Sequence, residues 1–351
     1  MSEGNGRRVG HTARVWLAGG VAAPTLAGGE ILLRQLDLPH FDACSMPVDY
    51  AIPDPELGFA APPGGEVTGF RLNQQGLRGP VLEVPRPSGH RRILFIGDST
   101  CWGLGVPLEK SFAALATRLL GEDLPDQTLE FVLGAFPGYS SYHSRIMLER
   151  LLPMQPDLVV FYVGARNDPI RARYFPDSEI PRRRARLGAS WHQVRLLRLL
   201  EVAWDRSYRS LFRKLRSEAA QARVPPADFR ANLDDMAEQL ERASVKGLVL
   251  VPSVSDGFAA RYPLVEQYQG TLEQAAQRNG LAMLRLETRF AAERPERVYV
   301  NDGYHLSERG HRITAEEIRR VVVDEGLLAG DHRGATIGET PEGQRGRDAE
   351  N

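Results

Sequence analysis

The chain has 351 residues, 42% of them apolar, with 45 acidic against 44 basic side chains and a formal net charge of -1. That length holds one large domain or two small ones around a real core, and the balanced charge gives no whole-molecule attraction to nucleic acid. Two cysteines, Cys44 and Cys101, make neither a disulfide framework nor a metal site, and His305 and His311, six apart, lack metal-ligand spacing; nothing here calls for a cofactor.

Residues 1–36 read as an N-terminal tail followed by a weakly apolar segment. Arg7, Arg8 and Arg14 precede the run VWLAGGVAAPTLAGG at 15–29, which Glu30 closes. That run falls short of the roughly 20 apolar residues a membrane-spanning helix needs. A signal-peptide core, a weak anchor and a packed helix all stay open, so location stands between cytoplasmic and membrane-associated. Residues 37–90, rich in Pro and Gly, predict an extended arm with short strands, one of them near Asn73–Arg78.

From residue 91 to 328 the pattern alternates. A buried-strand run at 93–96 ends in the tight turn Gly97-Asp98-Ser99 and leads to a helix near 109–121. A strand at 129–133 runs into the turn FVLGAFPGYSS at 131–141, then a helix at 141–151. The strand at 158–163 ends in Asn167-Asp168. Further helices are expected near 226–245, 264–279 and 307–325, and further strands at 247–251 and 281–285. Residues 329–351 form a charged, Gly-rich tail expected to lack structure. Strands alternating with helices predict an α/β fold, a parallel sheet with helices on both faces. Active sites in such sheets lie at the carboxyl ends of the strands. Ser99, Gly138 and Asn167 each follow a predicted strand and therefore converge on one edge.

An insertion at 169–224 interrupts the alternation, its basic residues outnumbering acidic ones about three to one. Trp191, Val194, Leu197, Leu200 and Trp204 recur in it at helical spacing. This stripe fits an amphipathic helix packed on the domain with its arginines solvated. It also fits a cap or membrane-facing helix beside the site, which would make peripheral membrane contact. Trp102, Trp191 and Leu197 are the candidates to line a substrate pocket.

The chemistry lies in three residue types. Ser99 alone would be an ordinary helix N-cap, and Asp302 and His305 alone would be a capping pair or surface residues. Asp302-Gly303-Tyr304-His305 places a carboxylate and an imidazole three apart, on one face if the segment is a helical turn. Serine, aspartate and histidine together are the parts of an activated hydroxyl nucleophile, and the chain order Ser–Asp–His is one of several that build it. Cys101, two residues after Ser99, offers a competing thiol but reads as a small buried residue.

The four blocks together resemble the SGNH, or GDSL-type, hydrolase family. Gly97-Asp98-Ser99, Gly138, Asn167-Asp168 and Asp302–His305 match in order, and the likeness extends over residues 70–325. Two positions depart from the family pattern. Leu133 stands where an asparagine is frequent, and Gly164-Ala165-Arg166 spaces the third block irregularly. The resemblance implies a three-layer α/β/α fold with a parallel central sheet of flavodoxin-like topology. It implies Ser99, Asp302 and His305 as the catalytic residues. It also implies an oxyanion site from the N–H groups of Ser99 and Gly138 and the Asn167 amide. The expected activity is a serine esterase acting on a small-molecule, glycan or lipid ester without cofactor or metal. An O-acyltransferase on a glycan or secondary metabolite uses the same serine and is the alternative. A catalytically silent binding protein of the same fold is the third reading.

Overall fold

A computed structural model describes residues 24–36, 51–172, 175–182, 194–197, 199–200, 203–204, 207 and 222–329. Trp191, Cys44, residues 1–14 and the tail beyond residue 329 lie outside them. The first element is a helix, α1, at residues 24–35. Two antiparallel hairpins follow in the arm. One pairs β1 (Ile52–Asp54) with β2 (Gly58–Ala60), the other β3 (Glu66–Val67) with β4 (Phe70–Arg71).

The core then alternates as β5 (His90–Gly97), α2 (Ser99–Trp102), α3 (Phe112–Asp123), β6 (Thr128–Ala135), α4 (Ser141–Leu151), β7 (Leu158–Tyr162) and α5 (Pro226–Ala243). It continues as β8 (Lys246–Val251), α6 (Asp256–Arg261), α7 (Val265–Arg278), β9 (Ala282–Arg285), α8 (Leu286–Phe290), α9 (Pro295–Val298) and α10 (Glu308–Asp324). The five strands from β5 onward form one parallel sheet in the order β6-β5-β7-β8-β9. Counted within that sheet, this is the 2-1-3-4-5 order of flavodoxin-like folds. Helices α3 and α10 pack together, and α4 packs on α5, which packs on α7. The result is the three-layer α/β/α sandwich.

Local chemistry explains the elements. All five residues of β7, Leu-Val-Val-Phe-Tyr, are buried, as a strand covered on both faces requires. Ser111 and Ser307 cap α3 and α10, their hydroxyls accepting from Ala114 N and Gly310 N. At the end of β5 a Cβ on Gly97 would sit 2.5 Å from the Tyr162 carbonyl oxygen and 2.7 Å from Cys101 Cβ. Only glycine lets the strand turn there this close to its neighbour.

Register sets the site. Gly97 lies beside Ala135 on one side and Tyr162 on the other. Three strands therefore end level, and the loops that leave them open on one edge. The insertion leaves that edge through a closed stem. Arg171 bridges Ala222, Arg223 N donates to Ile170 O at 2.6 Å, and Val224 N donates to Asp168 O at 3.1 Å.

The expected helical stripe in the insertion is helical where it is described, at 195–197, 199–200, 203–204 and 207. Among its described residues, Val194 and Leu196 are half-buried, while Leu200 and Trp204 are 59% and 72% exposed.

Candidate active site

Ser99 is the first residue of α2, directly after the β5 turn, and is almost fully buried. The N-cap role falls to the residue before it. Asp98 Oδ1 accepts from Thr100 N at 2.8 Å, so the serine hydroxyl is not spent on the helix. Ser99 Oγ instead lies 2.8 Å from His305 Nε2 across 206 positions of sequence. The other ring nitrogen, Nδ1, is hydrogen-bonded to Asp302 Oδ2.

Asp302 to His305 is a turn, not the helical turn that the three-residue spacing suggests. Asp302 Oδ1 accepts from the backbone N–H of both Tyr304 and His305 at 2.9 Å. This Asx-type turn brings the carboxylate back over its own loop. Two further ties fix the loop: Val300 N donates to His305 O at 2.9 Å and Ser307 N to Val298 O at 2.8 Å. Partial burial by itself would raise the Asp302 carboxyl. The hydrogen bonds from the His305 ring, Tyr304 N and His305 N outweigh it and hold the group below the usual carboxylate range. Asp302 is therefore an anion beside the imidazole at neutral pH.

Cys101 is a free thiol, fully buried, and burial together with the nearby Asp98 pushes its ionisation well above the usual thiol range. A thiol held protonated is a poor nucleophile.

Gly138 has φ 90, a left-handed conformation that favours glycine. Neither its N–H nor that of Ser99 has an acceptor among the described residues. The loop around Gly138 is held from several sides. Arg223 Nη1 donates to Gly138 O at 2.6 Å, and Asn167 Nδ2 donates to Tyr139 O at 2.8 Å. An amide nitrogen carries two protons, so that bond leaves Asn167 one more to give. Asp168 is turned elsewhere: it accepts from Ser141 N at 2.8 Å and Gly164 N at 3.2 Å. Burial raises its carboxyl to about 6.

A buried ion pair lies beneath this loop. Arg223 Nε is 2.8 Å from Asp177 Oδ2, with both side chains almost wholly excluded from solvent. Ser140 Oγ donates to the same carboxylate at 2.6 Å. His143 beside it is driven down to about 3 by burial and is neutral.

Several of these positions escape sequence reasoning. Tyr304 donates its hydroxyl to Asp98 Oδ2 and sets its ring edge-on to His305, 4.7 Å between centroids. It joins the serine turn to the histidine loop. Burial raises the Asp98 carboxyl, against the pull of this bond. Arg78 of the arm donates to Trp102 O, Gly103 O and Val106 O at 2.7, 2.8 and 2.6 Å. It places a cation at the carboxyl end of α2, where the helix dipole favours one. The only sequence signal for any of these was Asp98, an acceptor directly before a helix.

The pocket candidates fare differently. Trp102 is a core residue, 1% exposed, packed edge-on against Phe70 and under the Arg78 guanidinium. It has no face to offer a substrate. Leu197 is exposed on the insertion, and Trp191 lies outside the described residues. A cleft of about 500 Å³ does open beside Asp302, its walls including Arg166, Phe258, Arg261, Tyr262 and Tyr299. No group of three or more His, Cys, Asp or Glu among the described residues could hold a metal ion.

Among solved structures, the fold is similar to a lipase/acylhydrolase from Enterococcus faecalis, at 17% identity and TM-score 0.43, covering 67% of this chain and 96% of that one. It is also similar to a single-substitution variant of the acetyl xylan esterase Axe2 from Geobacillus stearothermophilus, at 16% identity and TM-score 0.45, covering 66% and 94%. A third is the psychrotrophic esterase EstA from Pseudoalteromonas sp., at 14% identity and TM-score 0.44, covering 68% and 99%. No curated protein matches the sequence. The model of the GDSL-like Lipase/Acylhydrolase family matches residues 95–313, from the β5 strand through the His305 loop into α10. With well over half of its length inside that match, the chain belongs to the GDSL-like lipase/acylhydrolase family.

Proposed function

We propose that this chain cleaves a carboxylic ester through an acyl-enzyme on Ser99. The family sets the reaction class, ester hydrolysis. One contact supports the covalent route most: Ser99 Oγ at 2.8 Å from His305 Nε2, with Nδ1 of the same ring engaged by Asp302. In this reading Nε2 takes the hydroxyl proton as Oγ bonds to the acyl carbon. Asp302 keeps the proton of the neutral ring on Nδ1 and stabilises the imidazolium that forms. The tetrahedral oxyanion is held by the N–H groups of Ser99 and Gly138 and by the second proton of Asn167. The alcohol then leaves with the proton from His305. Water next gives a proton to His305 as it attacks the acyl carbon; the Oγ–C bond breaks, His305 returns the proton to Oγ, and the acid is released.

The experiment is active-site labelling with a fluorophosphonate alongside hydrolysis of a p-nitrophenyl ester panel. Wild type and Cys101→Ala label and turn over; Ser99→Ala does neither. Labelling that moves with Cys101 would refute the assignment. Asn167→Ala lowers turnover about 100-fold or more with little change in melting temperature. A variant that keeps its rate would remove Asn167 from the oxyanion site.

A further inference from the structure

We propose that the cleft beside Asp302 is a subsite for a carboxylate carried by the substrate, with Arg166 as its anchor and Arg261 as a second cation on its wall. The assignment rests on the esterase reading and narrows the class of ester it takes. Arg166 fills the irregular position of the third block, directly before Asn167. The anchor is thus one residue from the proposed oxyanion donor.

The cleft is held in shape. Ala165, Phe258, Val265 and Tyr304 pack as a buried apolar cluster of their own. The Phe258 ring stacks on Tyr304 at 5.5 Å between centroids and meets Tyr262 at 4.6 Å. Ser255 N donates to Gly303 O at 2.9 Å, tying the start of α6 to the Asp302 loop. The Arg166 backbone is fixed too, its carbonyl accepting from Ile170 N at 3.2 Å. Aromatic walls with a few polar groups are the usual make-up of a small-molecule site.

Unpaired charge selects the ligand. Arg86, Arg92, Arg145 and Arg223, all at least half-buried, pair with Asp157, Glu130, Asp235 and Asp177. Arg78 donates to three carbonyls. Arg166 is half-buried as well, yet its guanidinium has no hydrogen bond or ion pair among the described residues. Its contact is the Tyr304 ring, 5.7 Å from Cζ to the centroid. An aromatic face attracts a cation but leaves most of the five guanidinium donors unused. Arg261 likewise has no ion pair among the described residues.

Two carboxylates share the cleft, Asp302 and Glu296. Asp302 is already engaged by the His305 ring and by the N–H groups of Tyr304 and His305. Glu296 is exposed on α9 and pairs with neither arginine. Two guanidinium groups against that one uncommitted carboxylate leave a single positive charge in excess. A monoanion balances it, whereas a phosphate dianion overshoots it. The flat guanidinium fork also matches a carboxylate through two parallel N–H···O bonds.

The experiment compares matched ester pairs on the full chain, each rate divided by that ester's spontaneous hydrolysis. In one pair the carboxylate is on the acyl half: mono-p-nitrophenyl glutarate against p-nitrophenyl valerate. In the other it is on the alcohol half: para-acetoxybenzoate against its methyl ester. Wild-type kcat/KM favours the anionic member of one pair about tenfold or more, and the pair that responds shows which half of the substrate enters the cleft. Arg166→Gln brings the two members level, Arg166→Lys keeps part of the preference, and Arg261→Gln lowers it in the same direction. Because the readout is a ratio, a general loss of activity cancels. Preference for neither anionic ester, or a preference that survives Arg166→Gln, would overturn the proposal while leaving the esterase reading in place. Calorimetric titration of Ser99→Ala with the two anionic esters separates the failures. If wild type hydrolyses none of the four esters, yet Ser99→Ala binds an anionic one and Ser99→Ala/Arg166→Gln does not, the subsite stands and the esterase reading alone fails. Binding of neither anionic ester by Ser99→Ala would overturn the subsite.

Discussion

Arg223→Met isolates the ion pair beneath the Gly138 loop. Methionine keeps an unbranched apolar stem and removes the guanidinium. The Asp177 carboxylate would then lose a cation at 2.8 Å in a place where neither side chain exceeds 1% exposure. The neighbours named above do not replace it: Ser140 donates one neutral hydrogen bond at 2.6 Å, and His143 is uncharged. Breaking a buried pair by removing one partner costs about 3–5 kcal/mol, because the other charge is left uncompensated. Urea denaturation followed by tryptophan fluorescence should lose about that much unfolding free energy. Asp177→Asn/Arg223→Met removes both charges and should lose less than Arg223→Met alone. The single variant also frees the Gly138 carbonyl from its 2.6 Å donor, so kcat on p-nitrophenyl acetate should fall further than KM rises. A loss below about 1 kcal/mol, or a double variant no better than the single, would show that the pair is solvated and the reasoning wrong.

Asp302→Asn should cut turnover by orders of magnitude with the fold intact, because the ring would be held in the wrong tautomer; a nearly unchanged rate would make Asp302 structural. His311 is buried, and burial, then the charges of Arg78 and His305, holds it at about 3 against an ordinary 6.5. The unfolded chain therefore takes up that proton first as pH falls, so the contribution is present above 6.5 and fades toward 3. The loss by pH 5 amounts to about 2 kcal/mol, and His311→Asn should flatten the pH 7 to 5 stability slope by that much; an unaltered slope would mean the folded protein protonates it. Gly97→Ala should destabilise by about 1–3 kcal/mol through overpacking against the Tyr162 carbonyl, read as a lower urea midpoint; a neutral substitution would show that β5 has room to shift.

Local patterns made the sheet legible. The apolar run at 158–163 reads as a strand, and β7 occupies Leu158–Tyr162 of it. The Gly/Pro/Ser turn at 137–141 reads as a helix start, and α4 begins at Ser141. Motif blocks singled out Ser99 and His305, which the fold sets 2.8 Å apart. What stayed hidden are the partners of buried polar groups. Arg78 meets the end of α2 across 24 to 28 positions, and Tyr304 reaches Asp98 across 206. Neither contact leaves a periodic trace, because tertiary packing alone selects the partner. The same limit explains Trp102, which stood among the candidates for a pocket wall. It packs into the core because Phe70 and Arg78 of the arm close over it. The stripe at 197–204 has helical periodicity in either setting, so spacing could not say whether protein would cover it.

The closed stem of the insertion carries a consequence for engineering the chain. Arg171 and Ala222 bridge, and the Arg223 and Val224 amides are tied to the Ile170 and Asp168 carbonyls. The chain therefore departs and returns at one point of the sheet's carboxyl edge. Doubling the length of a flexible loop on such a stem costs only about 0.6 kcal/mol of closure entropy. Residues beyond Ile180 can therefore change in length at little entropic cost, whereas Asp177, which holds Arg223 against the Gly138 carbonyl, cannot be given up. The stem is not by itself a splice point: Asp177 lies beyond it, paired with the buried Arg223 beneath the Gly138 loop, and Phe175 and Ile180 are buried as well, so a graft that spares this support must keep those residues and begin after Ile180.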